Sequence, residues 1–446
     1  MMNLLPTGCY LPVIVTDDPS LDLFLVHPTL RPAIEQSFGC LDELRQGSGF
    51  DKIKRFMHHD PPPVRQQGVL QGLQAVTPPP EALASEAQYQ AWLDDKAILR
   101  TERFFYNRPS WNVASTRHAL MGNFQFKGIG ITGPLGRVDY GHTHGLLHMY
   151  TALYETLMSW HLALTPVGAQ RVAALWRKRE DEVTNGRVLM LREAGALRLG
   201  QLVALKLTPQ ERRMVWLSLG VFTMAELRDC FQQVLRRFAW LTVHSYEILA
   251  PTLDNLLLDG TCIDTAGIFH HEGDGMNFTL RLVEKRPGIY GMSAGLGPAV
   301  EAVLSAYHET YENLGLSLTL SEVHELFWQE FNHWAPEGQQ VAQRFCALSA
   351  SELWRQQHLS LLEWEQLLQR HFPAPIKVQL RATRMSRFIE LPEVLQSIHI
   401  EVPGPAVRFD AFQRCDQIFL ACHDATSTEP SELAQSILRV AHGTRP

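Results

Sequence analysis

Phe124-Gln125-Phe126-Lys127-Gly128-Ile129-Gly130-Ile131-Thr132 is the stretch on which the reading of this chain turns. Its first four residues alternate apolar and polar, the period-two pattern of a half-buried strand. The strand ends in Lys127 and runs into Gly128 and Gly130, with Gly133 and Gly136 soon after. Downstream, Leu146, Met149, Leu153, Leu157 and Trp160 recur every three or four residues, which predicts a helix over about 146–164. Glu155 falls on that helix, 28 residues after Lys127. Val188-Leu189-Met190-Leu191 predicts a further strand, and Leu202–Leu207 a continuation of the same sheet.

Outward from this core the texture changes on both sides. Residues 1–100 read as an irregular lead-in, punctuated by Pro61–Pro63 and Pro78–Pro80, with a helix expected over 82–100. After about 210 the pattern turns helical, with helices expected at 209–219, 224–243, 297–314, 320–334, 350–357, 360–371 and 430–442. A passage at 253–268 with two Asp and two Gly interrupts that run, and 376–401 is mixed. The expected fold class is α+β in two lobes. The lead-in covers 1–100, a small β-containing N-lobe covers 101–208, and a larger, mainly helical C-lobe covers 209–446 with the loop 253–267 inside it.

Composition narrows the function classes. The chain has 446 residues, 45% hydrophobic and 20% charged, ample for a large core. With 40 Lys and Arg against 47 Asp and Glu the formal charge is −7, which speaks against a nucleic-acid partner because phosphate binding needs basic surface. No apolar run reaches transmembrane length, and the first residues lack the basic start of a secretory signal. Seven Cys, widely spaced and without a CxxC, suit a reducing cytoplasm.

Three pieces carry chemistry: the strand Lys127 with its glycines, the helix Glu155, and Leu253-Asp254-Asn255 followed by Ile263-Asp264. Singly, each has a plain structural reading as a turn, a solvated face or a cap. Their order is what ATP-dependent transfer needs. A strand Lys contacts phosphates and is held by a helix Glu; an Asn and a later Asp hold Mg²⁺; a nearby Asp orients or deprotonates the nucleophile. Magnesium takes one or two carboxylates plus phosphate and water oxygens, and Asn255 and Asp264 have that chemistry.

The passage from 123 to 173 resembles the selenoprotein O family, protein AMPylases with a protein-kinase-like fold. The family's lysine-glycine-x-glycine-x-threonine appears as Lys127-Gly128-Ile129-Gly130-Ile131-Thr132, its downstream aspartate as Asp139, and its helix glutamate as Glu155 without a gap. Its two strand arginines look like Arg192 and Arg198, one residue closer together. Its aspartate-asparagine and later isoleucine-aspartate appear as Asp254-Asn255 and Ile263-Asp264 at the family's interval. The likeness covers roughly 123–315.

The resemblance implies a bilobal kinase-like fold with ATP and Mg²⁺ (or Mn²⁺) as cofactors. It implies Lys127 on ATP phosphates with Gly128 and Gly130 beside them and Glu155 paired to the lysine. Arg192 and Arg198 would take further phosphate oxygens, Asn255 and Asp264 the metal, and Asp254 the role of general base. The implied activity is AMP transfer to a Ser, Thr or Tyr hydroxyl of a protein or peptide acceptor, from ATP bound in flipped orientation. Alternatives are γ-phosphoryl transfer, modification of a peptide natural product, and a pseudokinase scaffold.

Departures from the family pattern favour a distant relative. Residues 101–120 contain no glycine, where the family has a glycine-rich stretch ahead of the lysine. The helix start is rich in histidine (His142, His144, His148), and no counterpart of the family's C-terminal half follows 315. Two rival motifs remain. Gly291-Met292-Ser293-Ala294-Gly295 fits the nucleophile elbow of α/β-hydrolases, with His308 or His324 as base. The clusters His142/His144/His148 and His270-His271-Glu272 could gather a metal. For these motifs the plainer readings, a glycine turn before a helix and surface or packing histidines, are preferred.

Overall fold

The structure, a computed structural model, describes residues 12–15, 21–38, 73–75, 99–101, 118–121, 124–127, 147–178, 188–193, 197–202, 207–248, 255–270, 272–372, 377–382, 395–406, 409–424 and 430–442. The chain is mixed α+β and divides into two compact units. The first takes Met1–Trp160, Gln170–Gly195 and Cys415–Pro446; the second takes His161–Ala169 and Ala196–Arg414.

The first unit is built on an eight-stranded antiparallel sheet. Its strands are β1 (Pro12–Val15), β2 (Leu21–Val26), β3 (Leu73–Ala75), β4 (Leu99–Thr101), β5 (His118–Met121), β6 (Phe124–Lys127), β7 (Val172–Lys178) and β8 (Val188–Glu193). Their spatial order is β2-β7-β8-β6-β5-β4-β1-β3. Helix α1 (Arg31–Phe38) follows β2, and helix α2 (Met149–Leu162) joins β6 to β7. The expected strands at 124–127 and 188–191 and the helix over 146–164 are therefore present. The helix expected over 82–100 does not survive at its end, where Leu99–Thr101 pairs with β1 and β5; residues 82–98 lie outside the described set. The continuation expected at Leu202–Leu207 begins instead as helix, at Leu199–Leu202.

Strands β7 and β8 are buried along most of their length, which is why each reads as a continuous apolar run rather than an alternation. Helix α2 is buried from Ala152 to Trp160. Such a helix cannot offer a polar face to water, so every polar side chain on it needs a protein partner. Trp160 Nε1 donates to the Val172 carbonyl at 2.8 Å, and Ser159 Oγ accepts from the Val172 amide at 3.3 Å, tying α2 to the start of β7.

His27, at the end of β2, packs edge-on against Trp160 with ring centroids 4.6 Å apart. Burial first, and then the neighbouring Arg171 guanidinium, push its pKa down from 6.5 to about 4. The sign is that of a histidine kept neutral. Above pH 6.5 neither state binds the proton; between 6.5 and about 4 the unfolded chain binds it and the folded chain does not. Stability is therefore expected to fall through that window by on the order of 2 kcal/mol from this group. Urea midpoints measured from pH 7 to pH 4 should drop less steeply for His27→Gln than for the natural chain. Equal slopes would remove His27 from the acid response. His244, whose pKa burial also lowers, remains in both proteins.

In the second unit, α3 (Leu199–Leu202) and α4 (Pro209–Ser218) lead to α5 (Met224–Val243), which starts at a Thr223/Glu226 capping box. Strands β9 (Tyr246–Ile248) and β10 (Ile268–His270) pair antiparallel on either side of the passage that interrupts the helices. Next come β11 (Met276–Arg286), β12 (Ile289–Gly295), α6 (Leu296–Asn313), α7 (Leu320–Trp334), α8 (Gln339–Ala350), α9 (Glu352–Arg355), β13 (His358–Leu359), α10 (Leu361–His371), β14 (Lys377–Ala382) and β15 (Leu395–Val402). Helices α5, α6 and α7 form the helical layer, with Phe238 against Phe327 and Glu330 bound by Gln232 and Arg236.

The helices expected in this half are present, but so is a five-stranded antiparallel sheet, ordered β13-β12-β11-β15-β14, that the sequence reading does not anticipate. Two terminal helices, α11 (Ala411–Asp424) and α12 (Pro430–Ala441), complete the chain. From Cys415 onward they belong to the first unit: Tyr150 donates to Asp416 at 2.7 Å, and α12 lies along β2. Among the described residues no helix is long and apolar enough to cross a membrane.

Candidate functional site

In the first unit, three separate segments converge on one carboxylate. Lys127 ends β6, Arg192 lies on the adjacent strand β8, and Glu155 projects from α2. Lys127 Nζ donates to Glu155 Oε2 at 2.5 Å, and Arg192 Nη1 donates to Glu155 Oε1 at 2.8 Å. All three side chains are about 98% buried or more. Taking charges out of water costs several kcal/mol per ion, so they sit here only because they pair.

A fourth member is Gln125, fully buried and two residues before Lys127 on the same strand. It stands opposite Arg192 in the register, and its Oε1 accepts from Arg192 Nε. Sequence reading takes Gln125 only as the polar position of a strand. The signal that could have found it is the period of two, which puts residues 125 and 127 on one face.

In the second unit the chain makes a tight hairpin. The Ile263 amide donates to the Asn255 carbonyl at 3.1 Å, and Leu256 pairs with Cys262. Asp259 Oδ1 closes the turn by accepting from the Thr261 amide and hydroxyl. Gly260 sits there at φ 81°, with the Val234 backbone too near for a side chain. Tyr307 and Tyr311 of α6 anchor the hairpin by donating their hydroxyls, each at 2.9 Å, to the carbonyls of Leu257 and Leu258. Residues 197–199 pair with 256–258, fixing the backbone of Arg198 beside the hairpin. Arg198 Nη1 then donates to Asp264 Oδ2 at 2.8 Å.

Asp264 itself has φ 52° and ψ 46°, the left-handed region. Only Ser245 shares positive φ among the described non-glycine residues. Such conformations cost about 1–3 kcal/mol and persist where the surroundings enforce them, often at functional sites. The turn after it closes with the Gly267 amide on the Asp264 carbonyl at 3.0 Å. Asn255 lies directly against this turn: a Cβ on Gly267 would stand 2.5 Å from Asn255 Nδ2. Gly267→Ala is therefore expected to displace the Asn255 side chain and lower any divalent-cation affinity at the hairpin about tenfold, while the helices stay folded. Titration with Mn²⁺ followed by electron paramagnetic resonance checks this; unchanged Mn²⁺ binding would separate Asn255 from the metal.

Lys127, Glu155 and Arg192 thus meet in one unit, and Arg198, Asn255 and Asp264 meet in the other. Gly128, Gly130 and Asp254 lie outside the described residues, as do Asp139, His142, His144 and His271. The donor chemistry at the hairpin fits magnesium: one carboxylate and one carboxamide, with no soft ligand required. Among the described residues no group of three or more His, Cys, Asp or Glu could hold a metal unaided. His148 is exposed at the start of α2, and His270 is buried with Nδ1 on the Phe409 carbonyl.

The hydrolase motif does not form an elbow. Ser293 lies within β12 rather than on a strand-to-helix turn, and its hydroxyl donates to the Arg281 carbonyl at 3.3 Å. His308 is engaged by the Leu318 carbonyl and His324 by Glu301.

No protein-family model matches the chain, and no curated protein matches it.

Proposed function

We propose that the chain is an ATP- and Mg²⁺-dependent nucleotidyltransferase of the selenoprotein O type, with a bilobal kinase-like fold, that transfers AMP to a hydroxyl of a protein or peptide acceptor. The observation that carries this reading is the buried Lys127–Glu155 pair, a strand lysine held by the following helix. That pair is the part of kinase-like sites that orders triphosphate, and its geometry is the same whichever phosphorus is attacked. Support comes from the element order: the helix follows the lysine strand, two strands follow the helix, and the second of them returns to lie beside the lysine strand. Further support comes from the Asn255 hairpin ending in a left-handed Asp264.

In this reading Lys127 and Arg192 meet phosphate oxygens, with Glu155 fixing both cations in place. Asn255 and Asp264 would hold magnesium, which would supply positive charge to the phosphates. The acceptor oxygen attacks the α-phosphorus. The bond from that phosphorus to the bridging oxygen breaks, pyrophosphate leaves, and the hydroxyl proton passes to a base, the role assigned to Asp254. The same groups would serve γ-phosphoryl transfer if ATP lay the other way round. A pseudokinase scaffold would keep the pairs and lack the transfer.

Incubation of the full chain with Mg²⁺ and ATP labelled at the α or the γ phosphate separates these readings. Retained α label on the chain or on added protein supports AMP transfer, and γ label supports kinase action. Absence of both labels, with no heat of ATP binding, would sink the enzyme reading.

A further inference from the structure

Gln125 is fully buried, and among the described residues its Nε2 is a buried donor with no hydrogen-bond acceptor. The assignment of that atom follows from chemistry. Arginine only donates, so the amide end facing Arg192 Nε has to be oxygen, and the NH2 has to point elsewhere. An orphaned buried donor costs about 1–3 kcal/mol, and native proteins keep few of them. A strand position could remove the penalty with a leucine or a threonine. Here an amide stands beside Lys127, on the same face and one pleat away, and against Arg192. A buried donor flanked by two cations is suited to an oxyanion and unsuited to an apolar ring.

We propose that Gln125 is a ligand-binding residue for phosphate oxygens, its Nε2 donating to the polyphosphate that Lys127 and Arg192 attract while its Oε1 holds Arg192 in line. This inference rests on the reading of the Lys127 cluster as a polyphosphate site. It assigns to that site a neutral donor that discriminates by hydrogen bonding rather than by charge.

The test uses the full chain with inorganic tripolyphosphate and with ATP as probes. Gln125→Glu keeps the acceptor for Arg192 and deletes the donor; Gln125→Met keeps the neutral charge and deletes both. Calorimetry is expected to show roughly a tenfold or greater loss of tripolyphosphate affinity in both variants, the size expected for a hydrogen bond to a charged group. The Glu variant puts a second buried carboxylate on Arg192, which already pairs with Glu155, so its melting temperature is expected to fall and the uncharged Met variant carries the affinity test.

The decisive readout is the Gln125 side-chain amide, identified by nuclear magnetic resonance as the NH2 pair missing from Gln125→Glu. It should shift downfield as tripolyphosphate saturates the natural chain. An amide that stays in place at saturation, or a Met variant with natural affinity, overturns the role of Gln125 and leaves the site reading standing. If the natural chain binds neither tripolyphosphate nor ATP, the polyphosphate reading of the site falls and this inference falls with it.

Discussion

Glu155→Gln is expected to cost far more stability than Lys127→Met, although the two residues form one ion pair. Glu155 carries two buried cations, one on each oxygen. Neutralising it leaves both Lys127 and Arg192 without that carboxylate in a medium that solvates ions poorly. Breaking a buried pair by removing one partner costs roughly 3–5 kcal/mol, and here two pairs break together. Lys127→Met removes one cation, yet Glu155 keeps Arg192 at 2.8 Å, so no carboxylate is stranded. A loss of about 1–2 kcal/mol is expected for it. Denaturant midpoints measure the difference, and hydrogen exchange locates it: amides of α2 should open in Glu155→Gln and stay protected in Lys127→Met. Equal losses would mean that Arg192 does not brace the glutamate. Lys127→Met should separately weaken ATP binding, and a natural rate in that variant would count against the proposed phosphate role.

Asp264→Asn is the second large effect, on activity rather than on fold. Asparagine tolerates the left-handed backbone found at this position about as well as aspartate does, so the turn should persist. What disappears is the charge. Under the proposed chemistry, transfer should fall by about a hundredfold or more, because stabilisation of phosphate charge by a metal is worth several kcal/mol. Arg198 would also lose its ionic partner, at 7% exposure, and a melting temperature lower by a few degrees is expected. Natural transfer rates in Asp264→Asn would remove the metal assignment. A protein that unfolds outright would show that the pair with Arg198 is chiefly structural.

Much of the first unit was legible because its signals are local. The alternation at Phe124–Lys127 and the spacing along α2 each lie within a few turns of chain. Strand β7, Val172–Lys178, was not legible, since Ala173 and Ala174 dilute its apolar run with residues of low strand propensity, whereas the equally buried β8 presents Val188–Leu191 without them. The sheet of the second unit failed for a subtler reason. Strands β11 and β15 do alternate, with Phe278 and Leu280 against Asn277, Thr279 and Arg281, and Ile398 and Ile400 against Ser397 and His399. Yet both halves of the alternation are buried, so polarity there does not mark solvent.

The candidate site divides in the same way. Residue types and order gave Lys127, Glu155, Asn255 and Asp264 as a set. They did not reveal that Arg192 shares Glu155, that Gln125 holds Arg192, or that Arg198 grips Asp264, because those partners come from register and from hairpin pairing between distant segments.

The return of residues 415–446 to the first unit has a consequence for how the chain is made. Strand β2 emerges from the ribosome long before α12, which lies along it. Some 220 residues of the second unit separate the first unit's earlier segments from this final one. At 5–20 residues per second that is a wait of roughly ten to forty seconds. Through that interval the nascent first unit lacks its closing helices, so its edge is open to chaperones or to a neighbouring chain. The second unit can be complete before the first is, and nascent chains stalled near residue 410 should expose β2 to protease while the helices α5 to α7 already resist it.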